Sequence, residues 1–331
     1  MRELLKFSEG SEMRQKTIFS YETPFSGEHN IYGYVFGAGT YSDPERAEHS
    51  AAIVGAMRGN EHQQLYICSK LSARLSEIEE AGDIVSGKSI LLIPSVNYSA
   101  MNADHKFWLS DDSDINREFP GNPEGTATSR LAYALMEELK TYSYGIQFPS
   151  YYMRGRFIPH IRMMKTGFES TNLANLFGLP FVMLAEVRAF DEGTLNYNWQ
   201  RSGTEAFSLY SGGTERINEE YAEVAVSAVL RFLSRMGVIR YNSMGGQIAT
   251  LMDEDDMLTV KSEAAGFFKR MKNVNKEVRK GDILAEIIDP MDGHVLSEVR
   301  SPVDGIIFYQ QDAPLIYQNV VIFRIIKKIH K

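Results

Sequence analysis

The chain lacks several features that would define its class. It has one cysteine among 331 residues, Cys68, so an internal disulfide is excluded and a cytoplasmic protein is expected. Cys68 lies in an apolar helical stripe, which indicates a buried, inert thiol rather than a nucleophile. The first twenty residues have no apolar core of signal-peptide length, and the longest apolar runs reach only six or seven residues. No membrane association is therefore expected.

The sequence also lacks any block of clustered lysine and arginine, and its formal net charge is −8. Nucleic-acid binding depends on such clusters, because they neutralise phosphates, so a nucleic-acid partner is excluded. A small or weakly charged ligand is expected instead. The length favours two domains. Pairing of the chain with itself into a homo-oligomer is only a base-rate expectation.

Residues 1–240 predict an α/β domain with a mostly parallel mixed sheet flanked by helices, because short apolar runs alternate with helical patterns. The first strand is predicted over Ala52–Met57, followed by a helix whose buried face carries Leu65, Cys68, Leu71, Leu75 and Ile78. Further strands are predicted over Ser89–Ile93, Tyr144–Phe148 and Phe181–Val187, and further helices over 128–139, 169–177 and 222–236. Thr128 or Ser129 is the expected cap of the first of those helices.

Residues 241–331 predict a second, all-β domain, because short β runs alternate with turn signals such as Asp292-Gly293 and Asp304-Gly305. This segment resembles the small barrel-sandwich of biotinyl and lipoyl carrier domains, in which a lysine on the central hairpin carries the cofactor. The corresponding connection here is Asp289–His294, and no lysine occurs between Gly281 and Arg324. The carrier function is therefore excluded, and a β-barrel that serves as a lid or packing module is predicted.

Three motifs contain the candidate catalytic and ligand-binding residues. Gly55–His62 reads GAMRGNEH at the end of a predicted strand, Asp114–Gly121 reads DINREFPG, and Thr204-Glu205 follows a further apolar run. Together they resemble the succinylglutamate desuccinylase and aspartoacylase family, which is related in fold to zinc carboxypeptidases. The family motifs are Gly-x-His-Gly-Asn/Asp-Glu, Asp-x-Asn-Arg-x-Phe-Pro-Gly and Asp-Leu-His. The resemblance covers nearly the whole chain, since a subgroup of the family also ends in the β-barrel.

The resemblance implies a zinc-dependent hydrolase that cleaves the amide bond of an N-acyl amino acid or a similar small amide. Two histidines and a glutamate would hold the zinc with an open position for water, and a further glutamate would move the proton. Glu61 matches the carboxylate ligand, Asn116 and Arg117 the substrate carboxylate clamp, and Glu205 the general base. His160 and Arg162 match a stretch in which substrate-facing residues occur.

The two histidine positions differ from the family pattern: Arg58 stands at the first and Gln147 at the second. Arginine has five donors and no acceptor, so it cannot bind zinc. A guanidinium about 4 Å from a divalent ion would be repelled by about 8 kcal/mol at an effective dielectric constant of 20. Arg58 is therefore expected to pair with Glu61 in the place of the metal. Glutamine offers only a carbonyl oxygen, which suits harder cations than zinc, so magnesium or calcium held by Glu61, Gln147 and waters is an alternative.

Three functions are consistent with these residues. The first is the metal-dependent deacylase; the second is a degenerate member in which Arg58 and Arg117 hold a small anionic ligand without cleaving it. The third is a scaffold protein that uses the terminal barrel as its interaction surface. For individual residues, Glu61 could instead complement a helix dipole, and Glu205 could be a surface charge at a strand end.

Overall fold

The computed structural model describes residues 14–23, 27–37, 48–151, 153–243 and 245–328. These residues form a mixed α/β fold with one large mixed sheet flanked by helices and a separate antiparallel sheet near the C-terminus. The α-helices are α1 (His62–Glu80), α2 (Tyr98–Asn102), α3 (Ala127–Leu139), α4 (Thr171–Ala174), α5 (Leu195–Arg201) and α6 (Glu219–Arg235). Within this part of the chain, no helix is long and apolar enough to cross a membrane.

The strands lie throughout the described sequence. They are β1 (Arg14–Thr23), β2 (Gly27–Phe36), β3 (Glu48–Ala56), β4 (Lys88–Ser95), β5 (Tyr144–Gln147), β6 (Arg156–Met164), β7 (Phe181–Ala185), β8 (Glu205–Gly212), β9 (Thr250–Asp253), β10 (Leu258–Lys261), β11 (Gly266–Arg270), β12 (Glu277–Val278), β13 (Ile283–Ile288), β14 (Val295–Arg300), β15 (Gly305–Gln310), β16 (Leu315–Ile316) and β17 (Val321–Lys327).

The centre of the large sheet is parallel, in the order β4-β3-β5-β8. Helices cover both of its faces, which explains why β3 is a nearly continuous apolar run rather than an alternating one. One apolar core lies between the sheet and α1 and α6, and a second lies on the face covered by α3 and α5. Cys68 is fully buried in the first of these cores, and burial raises the pKa of its thiol, so the prediction of an inert cysteine is confirmed.

The predicted strands and long helices of the first 240 residues are present, with shifts of a few residues at their ends. The helix predicted from residue 128 begins one residue earlier, at Ala127. The predicted cap, Thr128 or Ser129, is wrong: the side chain of Thr126 caps the helix by accepting a hydrogen bond from the backbone N–H of Ser129. The segment 169–177 contains only the short α4 and a following 3-10 turn. Strand β6 was not predicted, since Pro159 interrupts it; the pairing of β6 with β8 shifts register between Phe157 and His160.

The large sheet continues past residue 240. Strand β9 pairs in parallel with β7, and β15 pairs with β6 through Tyr309 and Phe157. A third apolar core combines residues from both parts of the chain, including Phe157, Met183, Leu284 and Phe308. The predicted domain boundary at residue 240 marks a change in sequence pattern, and it stays a prediction, as does the predicted barrel. The terminal segment contributes β11, β13, β14 and β16 to the separate antiparallel sheet.

Candidate active site

A cavity of about 960 Å³ opens where β3 and β5 end. The carboxyl ends of parallel strands are the usual ligand site of open α/β sheets. Five of the predicted site residues line this cavity: Arg58, Asn116, Arg117, Gln147 and Arg162. Part of the wall comes from the C-terminal segment, since Asp312, Ala313 and Pro314 also line the cavity.

Arg58 is the centre of a buried polar cluster at this end of β3. Its Nε and Nη2 donate to the carboxylate of Asp114 at 3.0 and 2.6 Å, which is a bidentate pairing. Its Nη1 donates to Glu61 Oε1 at 3.2 Å and to the hydroxyl of Ser150 at 3.0 Å. The predicted pairing of Arg58 with Glu61 is confirmed, and Asp114 is a second, more extensively bonded partner that the sequence did not indicate.

Glu61 has its acceptors occupied within the same cluster. Its Oε2 accepts the backbone N–H groups of Met57 and Arg58 at 2.7 and 3.1 Å, and its Oε1 accepts the hydroxyl of Ser150 at 2.5 Å. Burial by itself would lower the pKa of Arg58, but the charges of Glu61 and Asp114 outweigh it and raise that pKa above its ordinary value. Arg58 is therefore a permanent cation, 8% exposed, next to two carboxylates.

The residues at the family's metal position do not fit zinc. Of the three ligand positions, only Glu61 carries a side chain that binds this ion, and a guanidinium nitrogen lies 3.2 Å from its Oε1. Gln147 is 2% exposed, and among the described residues its Nε2 donates only to the weak acceptor Met57 Sδ at 3.5 Å. Across the described part of the chain, three ligand-type side chains come together only in the turn between β13 and β14, at Asp289, Asp292 and His294. That turn does not line the cavity.

The predicted carboxylate clamp is held rigidly beside Arg58. The backbone N–H of Leu195 donates to Oδ1 of Asn116 at 3.1 Å, which leaves the Nδ2 of Asn116 as a donor toward the cavity. Gly193 packs on the backbone of Arg117 so closely that a Cβ there would lie 2.2 Å from the Arg117 carbonyl oxygen. The guanidinium carbons of Arg117 and Arg188 lie 5.4 and 5.9 Å from the ring centre of Phe190. The described residues provide neither arginine with a carboxylate ion pair, so both are available to an anionic ligand.

His160 does not line the cavity, although it contacts a residue that does. Its ring stacks on the ring of Tyr210, which does line the cavity, with centres 5.3 Å apart. Burial lowers the pKa of His160 to about 4, so the imidazole is neutral at pH 7. Burial also raises the pKa of Tyr210, so the phenol is a neutral hydrogen-bonding group. The prediction that His160 faces the substrate is therefore replaced: it supports Tyr210 from below.

Arg162 is fixed by a residue from beyond position 240. Its Nε donates to Glu254 Oε2 at 3.0 Å, and Arg324 of β17 donates to Glu254 Oε1 at the same distance. The hydroxyl of Tyr151 also donates to Glu254 Oε1. Burial by itself would raise the pKa of Glu254, but Arg162, Tyr151 and Arg324 outweigh it and lower that pKa to about 2. Arg162 at the cavity consequently shares a single carboxylate with Arg324.

Glu205 is not brought to the cavity, so the prediction that it acts there as the general base is wrong. It is the first residue of β8, paired with Tyr144 at the start of β5, and its backbone N–H donates to Ser143 O at 3.0 Å. The cavity lies at the other end of β8, where Ser208 and Tyr210 line it. At about 3.3 Å per residue, Glu205 lies about 17 Å from Tyr210. The alternative interpretation, a charge at a strand end, describes its position.

Several residues of the cavity and of the ion pairs beside it were missed because nothing local marks them. Asp114 opens the DINREFPG motif, but nothing in the sequence pairs it with Arg58. Glu254 comes from a remote acidic turn, and Tyr210 from an apolar run. Their roles depend on the pairing of strands that are distant in sequence.

Comparison with known proteins gives the same family that the sequence motifs resemble. A family model described as the succinylglutamate desuccinylase/aspartoacylase catalytic domain matches residues 47–236. The N-alpha-acetyl-L-2,4-diaminobutyric acid deacetylase of Halomonas elongata is 23% identical over 251 residues, which are 72% of this chain and 70% of that protein.

Solved structures share the fold along nearly the whole chain. A succinylglutamate desuccinylase/aspartoacylase from Rhodobacter sphaeroides superposes with a TM-score of 0.70 at 22% identity, covering 92% of this chain and 91% of that one. The product-bound ectoine utilization protein EutE (DoeB) from Ruegeria pomeroyi gives a TM-score of 0.74 at 20% identity, covering 95% and 94%. At these identities the likeness establishes the fold alone.

Proposed function

The chain belongs to the succinylglutamate desuccinylase/aspartoacylase family, and from that membership we propose that it binds a small carboxylate, such as an N-acyl amino acid, without the family's metal-assisted cleavage. At the level of the family, the activity is deacylation, the hydrolysis of an amide bond. The binding part of that activity needs the clamp of Asn116 and Arg117, which this chain retains. The cleavage part needs a metal-bound water, and two of the three residues that would hold the metal are changed to Arg58 and Gln147.

The observation that carries the proposal is the position of Arg58. Its guanidinium is bonded to Glu61, Asp114 and Ser150, so the cavity has a fixed cation where a family member would have its ion. A divalent metal about 4 Å away would be repelled by about 8 kcal/mol. Arg58 keeps the positive field that attracts an anion but activates no water. Arg117 and Arg188 add two further cations that have no carboxylate partner among the described residues.

Metal analysis tests this proposal. The wild-type protein, purified without an affinity tag, is expected to contain no stoichiometric zinc. The double variant Arg58→His, Gln147→His is expected to gain it, because two imidazoles and Glu61 form a His₂Glu ligand set. The single variant Arg58→His is the matched control and should bind zinc more weakly. Near-stoichiometric zinc in the wild-type protein would show that the ligand assignment is wrong.

A second experiment tests the clamp. N-acetyl-L-glutamate and N-acetyl-L-aspartate are expected to bind the wild-type protein, as measured by calorimetry. Arg117→Ala should weaken binding by roughly 10- to 150-fold, because a charge-assisted hydrogen bond contributes about 1.5–3 kcal/mol. Arg154→Ala is the control: Arg154 also lines the cavity, but its side chain is 75% exposed. An equal effect of the two substitutions would argue against a clamp at Arg117.

Metal-dependent deacylation is the second candidate, and the match of residues 47–236 to a catalytic domain favours it. It predicts release of free amine from an N-acyl amino acid, loss of that release on treatment with a chelator, and its return with zinc. Turnover with this pattern would replace the binding proposal. Binding of the same compounds without turnover would support it.

A further inference from the structure

One wall of the cavity carries a group of hydrogen-bond donors, formed by Arg162 on β6 and by Ser208 and Tyr210 on β8, which we call the donor cluster. All three residues line the cavity. Arg162 pairs with Ser208 across the two strands, so their side chains are neighbours. Tyr210 lies two residues beyond Ser208, and side chains two apart in a strand point to the same face of the sheet.

The donors of this cluster lack partners in the described part of the protein. Arg162 uses only its Nε, which donates to Glu254 at 3.0 Å. Its two Nη groups and the hydroxyls of Ser208 and Tyr210 make no hydrogen bond to a described residue, and each of these atoms keeps accessible surface. Ser208 is only 5% exposed, and polar groups on nearly buried residues are normally hydrogen-bonded. Donors left open toward a cavity therefore indicate a ligand that accepts from them.

The donor cluster also has an excess of positive charge. Arg162 and Arg324 share a single carboxylate, that of Glu254, so these three side chains carry a net charge of +1. Both arginines stay protonated at any working pH. The nearby His160 does not change this sum, because burial lowers its pKa to about 4 and leaves it neutral at pH 7. An anionic acceptor is therefore favoured over a neutral one.

The same excess holds for the whole cavity, although the chain has a net charge of −8. Eight arginine and lysine side chains line the cavity, against five carboxylates. With the buried ion-pair partners Glu61, Glu254 and Arg324 included, nine basic groups stand against seven acidic ones. A cleft that concentrates positive charge attracts anions. Positive charge is thus available for more than the one carboxylate that the clamp would bind.

The donor cluster and the clamp lie on different elements of the same cavity. The cluster is on β6 and β8, whereas Asn116 and Arg117 belong to the connection between α2 and α3. The phenol of Tyr210 experiences the charges of both Arg162 and Arg117. The cluster and the clamp are therefore within electrostatic reach of each other. A single small ligand with an anionic group at each end can occupy both.

From these observations we infer that the donor cluster is a second anion subsite, which binds a carboxylate or phosphoryl group of the same ligand that the clamp holds by its carboxylate. Arg162 offers its two Nη groups as a fork, and Ser208 and Tyr210 each donate a hydroxyl hydrogen bond. The ligand is then a dianion with two separated anionic groups. The inference rests on the proposed function, because the clamp holds the other end of the ligand.

Calorimetry on the full-length protein tests the subsite with two ligands of the same length. Glutarate has two carboxylates, and in glutaramate a neutral amide replaces one of them. Glutarate should bind at least about tenfold more tightly, because hydrogen bonds to a charged group are stronger than neutral ones. Arg162→Gln should remove this preference while glutaramate still binds through the clamp. A preference that persists in Arg162→Gln would overturn the inference.

Two further substitutions remove a single hydroxyl and leave the ion pairs of Glu254 in place. Ser208→Ala and Tyr210→Phe should each weaken glutarate binding about tenfold and affect glutaramate less. Ser211→Ala is the matched control, because Ser211 is buried on the same strand but donates to Tyr221 O at 2.7 Å and does not line the cavity. If both variants bound glutarate as tightly as Ser211→Ala does, the donor cluster would be refuted.

The type of anionic group is tested with 4-phosphonobutyrate, in which a phosphonate replaces one carboxylate of glutarate. Tighter binding than glutarate would indicate a phosphoryl ligand, and weaker binding a dicarboxylate. In both cases Arg162→Gln should abolish the difference. A difference that this substitution leaves unchanged would show that the second anionic group is bound elsewhere.

The clamp variant separates this inference from the proposed function. Equal binding of glutarate and glutaramate, weakened alike by Arg117→Ala, would leave the proposed function intact and overturn the subsite. A preference for glutarate that depends on Arg162 but not on Arg117 would support the subsite and remove the clamp. Binding of neither ligand would remove both.

Discussion

Replacing Arg58 with alanine is expected to lower the free energy of unfolding by about 3–5 kcal/mol, because it leaves buried carboxylates without their cation. Asp114 would lose three hydrogen bonds from the Arg58 side chain and Glu61 one. Glu61 is 2% exposed, so water cannot replace the lost charge at low cost. Urea denaturation at pH 7 would measure the change.

The control for this prediction is Arg74→Ala. Arg74 and Glu77 have the same i,i+3 spacing as Arg58 and Glu61, but their side chains are 54% and 64% exposed. Exposed pairs of this kind contribute about 0–1 kcal/mol. If Arg58→Ala destabilised the protein no more than Arg74→Ala, the cluster at the cavity would not be the stabilising feature described here.

Replacing Glu254 with alanine should have an effect of similar size, about 3–5 kcal/mol, for the opposite reason: two buried cations would lose their shared carboxylate. The side chains of Arg162 and Arg324 are 13% and 14% exposed. Arg162 faces the cavity, so the substitution should also disturb ligand binding. Glu215→Ala is the control, because Glu215 is 45% exposed and lies 3.5 Å from Arg154.

The same carboxylate should give the protein an acid-sensitive component of stability. The pKa of Glu254 falls from its ordinary value of 4.5 to about 2 in the folded state. Its stabilisation, about 3 kcal/mol by linkage, is therefore complete above pH 4.5 and is lost as the pH falls toward 2. Glu254→Gln should remove this component, so the stability difference between wild type and variant should shrink over that interval. A constant difference from pH 7 to pH 2.5 would contradict the assignment.

Local patterns were sufficient for most of the first 240 residues. The apolar spacing of Leu71, Leu75 and Ile78 fixes one buried face of α1, and Gly178 ends the segment before β7 in the left-handed conformation, as a helix terminator should. The sequence pattern did not predict strand β6, because Pro159 interrupts this interior strand. It also failed at Glu205, since the sequence does not tell which end of a strand will face the cavity.

The sequence by itself determined the family, the helices and the parallel strands, and the loss of the zinc ligands, because each depends on residue types at short, fixed spacings. Tertiary structure alone decided that Asp114 is the main partner of Arg58, that Glu254 pairs with Arg162, and that Asn196 lines the same cavity as Gln147. These relations join residues between 49 and 92 positions apart, where distance along the chain carries no information about contact. They follow from the order and register of strands, which are set by burial of apolar surface over the whole sheet.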